Sequence, residues 1–274
     1  MAGDLEAALN FLASGEGWRP IAGGTDLMVL LNSGKLTANR LVSVREIREL
    51  RQIEVTETSV TLGAAVTFTA IRYHPVLQAE FPLLCQAASW TGGIANQNRG
   101  TVGGNIINAS PAADSPPALL AYDATLSLLS LRGERKLPYR EFHIGYKQMR
   151  LDPDELLYSI HLPRRFAGWK QYSRKVGTRK AQAISKVCFN ALSYTDGEVM
   201  RDVRIGIASV APVPLRCLLT EQSLMGQRLS PAVIAQAKSV LRSEMAPIDD
   251  IRSTAMYRAQ VAENLLGEFL LGLR

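Results

Sequence analysis

RGTVGGNIINASPAADSPPALLAYDATLSLLS, Arg99 to Ser130, is the stretch on which the fold turns. Gly103 and Gly104 follow Thr101 and Val102, a run of small and polar residues comes next, and the apolar LLAYDATLSLLS closes it. So many small residues, directly before what reads as a buried strand, leave room that side chains do not fill. A ligand approaching the main chain is a physical use for such room, because glycine reaches positive φ and has no Cβ to obstruct it. A shorter stretch of the same kind, AGGTDL at Ala22–Leu27, lies upstream. In such loops successive N–H groups can converge on one anion, and a helix beginning at Asp26 or Leu27 would add its positive end. Two such cradles would bracket the two phosphates of a dinucleotide. Each Gly-Gly alone is more often a plain turn. Neither loop has the G-x-G-x-x-G spacing, and neither is followed by Gly-Lys-Ser/Thr, which argues against a Rossmann domain and a P-loop NTPase.

Bulk composition narrows the class further. The 274 residues suffice for one large or two modest domains, and 47% hydrophobic with 20% charged residues is ordinary for a globular chain. No apolar run approaches the ~20 residues of a membrane span. The N-terminal MAGDLEAALNFLASGEGW lacks the basic and apolar regions of a signal peptide, so a cytoplasmic location is expected. Cys85, Cys188 and Cys217 are far apart and form no Cys-x-x-Cys, which excludes zinc-finger and iron–sulfur spacings and predicts reduced, buried thiols. His74, His143 and His161 are dispersed and suggest no metal site. The net charge of +6 is spread along the chain apart from small clusters such as SRKVGTRK, and aromatics are only 7%, which disfavours nucleic-acid binding. The same charge suits an anionic small ligand or an acidic partner.

Periodicity predicts a helix over 4–14, a short strand at Pro20–Ala22, and an apolar helix ending near Gly34. RLVSV reads as a strand, REIREL as a turn or short helix, and the Val/Thr-rich 53–71 as a hairpin turning at Thr56–Thr58. A helical segment over 74–92 begins beside Pro75. After the opening stretch, 124–142 reads as two strands joined at RGER, and ELLYSIHLP (155–163) as a strand closing the region. From WKQYSRKV onward the alternation is that of an antiparallel sheet, with TDGE as a tight turn, and Pro231–Leu273 is helical with a break at APIDD. The change of pattern puts a domain boundary near residue 165.

Read together, IAGGTDLMVLL and NRGTVGGNIINASPAADSPPALLAYDATL resemble the FAD-binding, or medium, subunit of the molybdenum hydroxylases, the xanthine dehydrogenase and carbon monoxide dehydrogenase family. ELLYSIHLP, RIGIASVAPVPLRC and the helical tail are similar to its later segments, so the likeness covers nearly the whole chain. It implies an α+β fold: a two-lobed FAD-binding domain of the vanillyl-alcohol oxidase/MurB (PCMH) type over 1–165, and a small C-terminal α+β domain, an antiparallel sheet with helices, over 166–274. It implies noncovalent FAD with its diphosphate between the two glycine loops. Gly23, Gly24, Thr25 and Asp26, flanked by Ala22 and Leu27, would hold one side. Thr101, Gly103, Gly104 and Asn105, with Val102 among them, would hold the other. Asn108 and Asp114 match positions making further polar contacts, and Lys186 in AISKV matches a lysine that reaches the flavin ring, where a cation stabilises negative charge on the reduced ring. Leu157 or Tyr158 would pack on the flavin, and Trp90 is a possible stacking neighbour; strand packing and core filling account for these three equally well.

The resemblance further implies that electrons come from [2Fe–2S] clusters on a small partner subunit, fed by a molybdopterin centre on a large one. They would leave to NAD⁺ or another acceptor, in a heterotrimer or its dimer. No histidine follows the first Gly-Gly, unlike relatives with covalent flavin, and the [4Fe–4S] insertion of some relatives is missing. No Ser-His-Asp or paired-carboxylate arrangement stands out, so binding and redox tuning rather than acid–base chemistry are expected. Two other readings stay open: a stand-alone flavin oxidase or reductase of this fold, and a non-catalytic scaffold subunit without cofactor.

Overall fold

The computed structural model describes residues 4–179 and 182–274; Met1–Gly3 and the Lys180 of the SRKVGTRK cluster, with Ala181, lie outside the described residues. Asp4 opens helix α1 (Leu5–Ala13) by accepting the Ala7 N–H at 2.8 Å, and the helix buries Ala8, Leu9 and Leu12. Strand β1 (Trp18–Ile21) pairs in parallel with β2 (Arg40–Ser43) through a crossover that carries the first glycine loop and helix α2 (Leu27–Asn32). The predicted apolar helix exists but buries nothing: Met28, Val29 and Leu31 are exposed. REIREL ends in a single 3-10 turn at Glu49–Arg51.

The predicted hairpin forms as β3 (Ile53–Val55) and β4 (Ser59–Gly63), turning at residues 56–58. Helix α3 (Phe68–Tyr73) replaces the continuation of that strand pattern, because Thr67 caps it by accepting from Ala70 N–H. The expected helical segment over 74–92 is two helices, α4 (Pro75–Glu80) and α5 (Pro82–Trp90). Pro82 lacks the N–H needed to continue a helix and is at home in a first turn. Next come α6 (Ile94–Arg99), α7 (Val102–Ile107) and α8 (Ser115–Ala121). The LLAY that reads as strand therefore belongs to a helix, opened by Pro116 and Pro117, and strand β5 starts only at Thr125 (Thr125–Ser130).

Strands β6 (Gly133–Pro138), β7 (His143–Gly145), β8 (Gln148–Met149) and β9 (Leu156–Pro163) follow. The order β3-β4-β9-β5-β6 makes a five-stranded antiparallel sheet, with β7 and β8 a separate hairpin. ELLYSIHLP, expected to close the region, is instead the central strand, which fits its near-continuous burial. One core lies between this sheet and α3, α5, α7 and α8; a smaller one joins α1 to β2 and to Leu156.

The C-terminal sheet is antiparallel, in the order β10 (Lys170–Val176), β11 (Val187–Asp196), β12 (Val199–Ala208), β13 (Leu215–Arg216). Gly197, at φ 57°, supplies the left-handed position of the TDGE turn. Helices α9 (Leu218–Leu224), which the sequence pattern missed, α10 (Pro231–Glu244) and α11 (Ala255–Leu271) build the second core with this sheet. Against the same sheet packs α8, so closely that a Cβ on Gly206 would overlap the Pro117 carbonyl.

Asp123, just past α8, joins the two halves. It accepts from Arg216 at 2.6 Å, from Arg204 at 3.1 Å and from Arg165. Burial by itself raises its carboxyl, but Arg216 and Arg204 hold it below the usual carboxylate range. A lowered folded-state pKa gives stability that is present above the unfolded value and lost as pH falls through the folded one. Asp123→Asn suits the left-handed backbone there (φ 52°). It should lower stability at neutral pH by on the order of 2 kcal/mol, as loss of hydrogen bonds to charged groups does. Melting curves should show the gap from the parent closing as pH drops below about 4. A gap constant across that range would refute the assignment.

Candidate functional site

A cleft of about 1220 Å³ runs between the first glycine loop, α7 and the start of the C-terminal region. It exceeds the ~300–1,000 Å³ of an ordinary small-molecule pocket. Its walls bring together Ala22, Gly23, Gly24, Thr25, Asp26 and Leu27 with Thr101, Gly103, Gly104, Asn105 and Asn108, and add Asp114 and Leu157. The two glycine stretches, distant in sequence, therefore face one space.

They do not offer the same chemistry. In the first loop the N–H groups of Gly23, Gly24, Thr25, Asp26 and Leu27 find no acceptor among the described residues, while its carbonyls at Gly24 and Asp26 accept from Met28, Val29 and Leu30 N–H as α2 begins. Gly24 has φ 74°, which turns the chain at no steric cost. Gly23 is there for another reason: a Cβ would overlap the Arg99 carbonyl, because the segment before the second stretch passes directly against it.

The second stretch is no open loop but the first turn of α7. Thr101 Oγ1 caps it by accepting Gly104 N–H at 3.0 Å. Val102 N–H is spent on Val66 O, Gly103 N–H on Ala64 O and Asn105 N–H on Thr101 O. The convergent amides expected here are thus already committed. A Cβ on Gly103 would sit 2.5 Å from Ala64 O, so this glycine closes α7 onto the strand end. Around Gly104 a Cβ would meet only the capping Thr101 hydroxyl, and the residue is exposed to the cleft. The contribution of Gly104 is empty space. Both α2 and α7 run six residues, so the exposed loop amides matter here more than helix ends.

The other predicted site residues divide. Asn105 accepts from Ser115 at 2.7 Å, and Asp114 is buried, bonded to Lys175 and to Ser185, both at 2.6 Å. Burial pushes the Asp114 carboxyl up against the opposing pull of Lys175 and Ser185. Its oxygens tie α8 to the C-terminal sheet at the edge of the cleft. Val102 is fully buried in the core. Tyr158 does not line the cleft: β5 pairs Ser127 with Ser159 and Leu128 with Leu157, leaving Tyr158 as the extra residue of a bulge that turns it away, against the small core. Lys186 also lies off the cleft, its Nζ 5.1 Å above the Tyr257 ring, because Ser185 takes the inward position toward Asp114. Trp90 is likewise off the cleft; its carbonyl accepts from Lys175.

Several lining groups carried no signal in the sequence. Arg19 and Lys147 line the cleft near Asp26. Burial lowers the Lys147 ammonium from the usual lysine range, with Asp26 opposing and Arg19 adding to the fall. Toward the C-terminal helices, buried Arg258 donates to Asp250 at 2.7 Å and to Lys186 O at 2.8 Å, while its Nε has no partner. Asp250 is held at about 2: burial raises it, but the Arg252 and Ser253 N–H groups and the Arg252 and Arg258 guanidiniums outweigh that. No histidine or cysteine lines the cleft, and no cluster of three or more metal-ligating side chains occurs among the described residues. Cys188 and Cys217 are buried; burial raises the partly buried Cys85 thiol to about 11.

Residues 1–165 match the family model described as the FAD binding domain in molybdopterin dehydrogenase, and residues 172–273 match the CO dehydrogenase flavoprotein C-terminal domain. The xanthine dehydrogenase FAD-binding subunit of Escherichia coli is 31% identical over 268 residues, covering 96% of this chain and 91% of its own. The glyceraldehyde dehydrogenase medium chain of Sulfolobus acidocaldarius is 28% identical over 265 residues, covering 96% and 93%. Among solved structures, a chain of carbon monoxide dehydrogenase from Hydrogenophaga pseudoflava, in a form lacking the Mo-pyranopterin moiety, superimposes with a TM-score of 0.92. It is 26% identical, with 97% of this chain and 92% of that chain covered.

The two glycines of α7 should respond oppositely to a methyl group. Gly103→Ala should cost about 2 kcal/mol, because backbone must move to admit it, whereas Gly104→Ala should stay within about 1 kcal/mol of the parent. Thermal unfolding of both variants checks this; equal losses would refute the division of roles.

Proposed function

The chain belongs to the family of FAD-binding subunits of molybdopterin dehydrogenases, and from that premise we propose that it is the FAD-carrying electron-transfer subunit of a heteromeric molybdenum hydroxylase. The observation that carries this reading is the cleft itself: five main-chain N–H groups of residues 23–27 without an acceptor, opposite a helix turn where Gly104 leaves open space. Gly23 is buried and Gly24, Thr25 and Leu27 half-buried, so successive unspent donors at the cleft wall suit an anion. The diphosphate of FAD, held from one side by the Gly23–Leu27 amides and accommodated on the other by Gly104, supplies one. FAD is taken noncovalently in this reading, since the cleft presents neither histidine nor cysteine to attach it.

When bound, FAD supplies the exchange of electrons between one-electron carriers and a two-electron acceptor. This chain's residues bind and orient it: the first loop holds its charge, Leu157 lends apolar surface, and the paired Asp114–Lys175 and Asp250–Arg258 fix the C-terminal elements on the cleft's rim. We assign residues 1–165 to the FAD-binding domain and 166–274 to the C-terminal domain. Electrons arrive from [2Fe–2S] clusters of a small partner subunit, and the molybdopterin centre belongs to a large one, as a heterotrimer or its dimer. NAD⁺ or another acceptor takes them away. No helix among the described residues is long and apolar enough to cross a membrane, and we place the complex in the cytoplasm.

Purified chain incubated with FAD and desalted should stay yellow and release free FAD on denaturation. Gly104→Val, which fills the open side, should lose that colour while melting as the parent does. A colourless parent chain would return the protein to the scaffold reading. Normal flavin content in Gly104→Val would remove α7 from the site.

A further inference from the structure

Two positive side chains line the cleft near the first loop, and they differ in how they are held. The Arg19 side chain forms no hydrogen bond or ion pair among the described residues. Lys147 stands at the tip of the β7–β8 hairpin in a left-handed conformation, φ 57°. The hairpin is fastened beneath α7 by His143, whose Nε2 lies 2.9 Å from Ile106 O. From this base Lys147 reaches up to Asn108, the residue that ends α7, bonding its carbonyl and, at 3.0 Å, its side-chain oxygen. Both acceptors are neutral. An ammonium has three donors, so one remains unspent; Asp26 pulls on it through space, but no carboxylate is bonded to it among the described residues.

Apart from Asp26, an exposed carboxylate beside Lys147, the lining carboxylates are paired in place. Asp114 is paired with Lys175, Glu155 with Arg135, and Asp250 with Arg258 and Arg252. Arg19 and Lys147 are therefore the lining cations without a carboxylate bonded to them among the described residues. Loop amides are dipoles, not charges, and a diphosphate drawn out of water needs compensating charge as well as hydrogen bonds.

Resting on the FAD reading above, we propose that Lys147, positioned by Asn108 on the β7–β8 hairpin, is a charge contact for the cofactor's diphosphate, facing it across the cleft from the Gly23–Leu27 amides. Asn108 then acts through Lys147, which gives that residue a positioning role. Burial depresses the ammonium and an anion beside it opposes that, so the contact favours a charged ligand over an uncharged one. A merely structural alternative exists, in which Lys147 only caps the end of α7.

The test is titration of FAD into the flavin-free full chain at several salt concentrations, for the parent and for Lys147→Met, Lys147→Arg and Lys170→Met. Lys170 is exposed on β10, and its variant controls for net charge. Lys147→Met should weaken FAD binding about tenfold, the worth of one charge-assisted hydrogen bond, and should flatten the salt dependence. Lys147→Arg should recover both, and Lys170→Met should change neither. Unchanged affinity in Lys147→Met overturns the proposal. So does a loss with the parent's salt dependence intact, because that is the signature of a displaced helix end rather than a missing charge. A parent chain that takes up no FAD at all overturns the cofactor reading, and this one with it, and so is distinguishable from failure of Lys147 alone.

Discussion

The main chain at Arg99–Gly100 runs so close to Gly23 that no side chain fits between them, and the rest of the site depends on that contact. It brings two stretches distant in sequence onto one space. It is reinforced by Gly103, pressed on Ala64, and by the bond from Phe68 N–H to Gly100 O. Backbone packed on backbone has little slack, since neither partner has a rotamer to change. The distance across the cleft is thereby held by main-chain contact rather than by adjustable side chains. Gly23–Gly24 and Gly103–Gly104 each combine a packing glycine with one that serves the cleft: Gly23 and Gly103 close the contact, while Gly24 turns the loop and Gly104 leaves room.

The second constraint is α8. Its start and its end are each tied by a carboxylate to basic groups of the C-terminal half, Asp114 to Lys175 and Asp123 to Arg216 and Arg204. Between those ties Pro117 lies on Gly206 with no room for a methyl group. Buried ion pairs contribute little net stability against apolar replacements, but losing one partner is costly, so they specify an arrangement more than they strengthen it. Here they specify how the C-terminal sheet meets the glycine region, and hence where the far wall of the cleft stands.

Electrostatically the cleft is divided. Around Asp250 and Arg258 the charges are satisfied in place, apart from the Arg258 Nε, and hold the α11 side together. Around the first loop, donors and cations remain unspent. That inequality points to an anion at one end of a long cavity, and the family membership supplies its identity.

The sequence by itself determined the family, the two glycine stretches that line one cleft, the β3–β4 hairpin, and the change from mixed helix and strand to antiparallel sheet beyond residue 165. Those features are local: glycine pairs, alternation and turn residues act within a few positions. What only the tertiary structure decided is which way each group faces. The capping hydroxyl of Thr101 turned a loop into a helix and consumed its amides. A bulge sent Tyr158 to the other side of its strand, and Ser185 took the inward place beside Lys186. Lys147 was invisible as a lone lysine in an unremarkable hairpin, because its meaning comes from Asn108 and the first loop, distant in sequence and brought near by the fold. Residue type and spacing carry backbone preference; the direction of a side chain depends on register, bulges and competing hydrogen bonds, which exist only once distant segments have met.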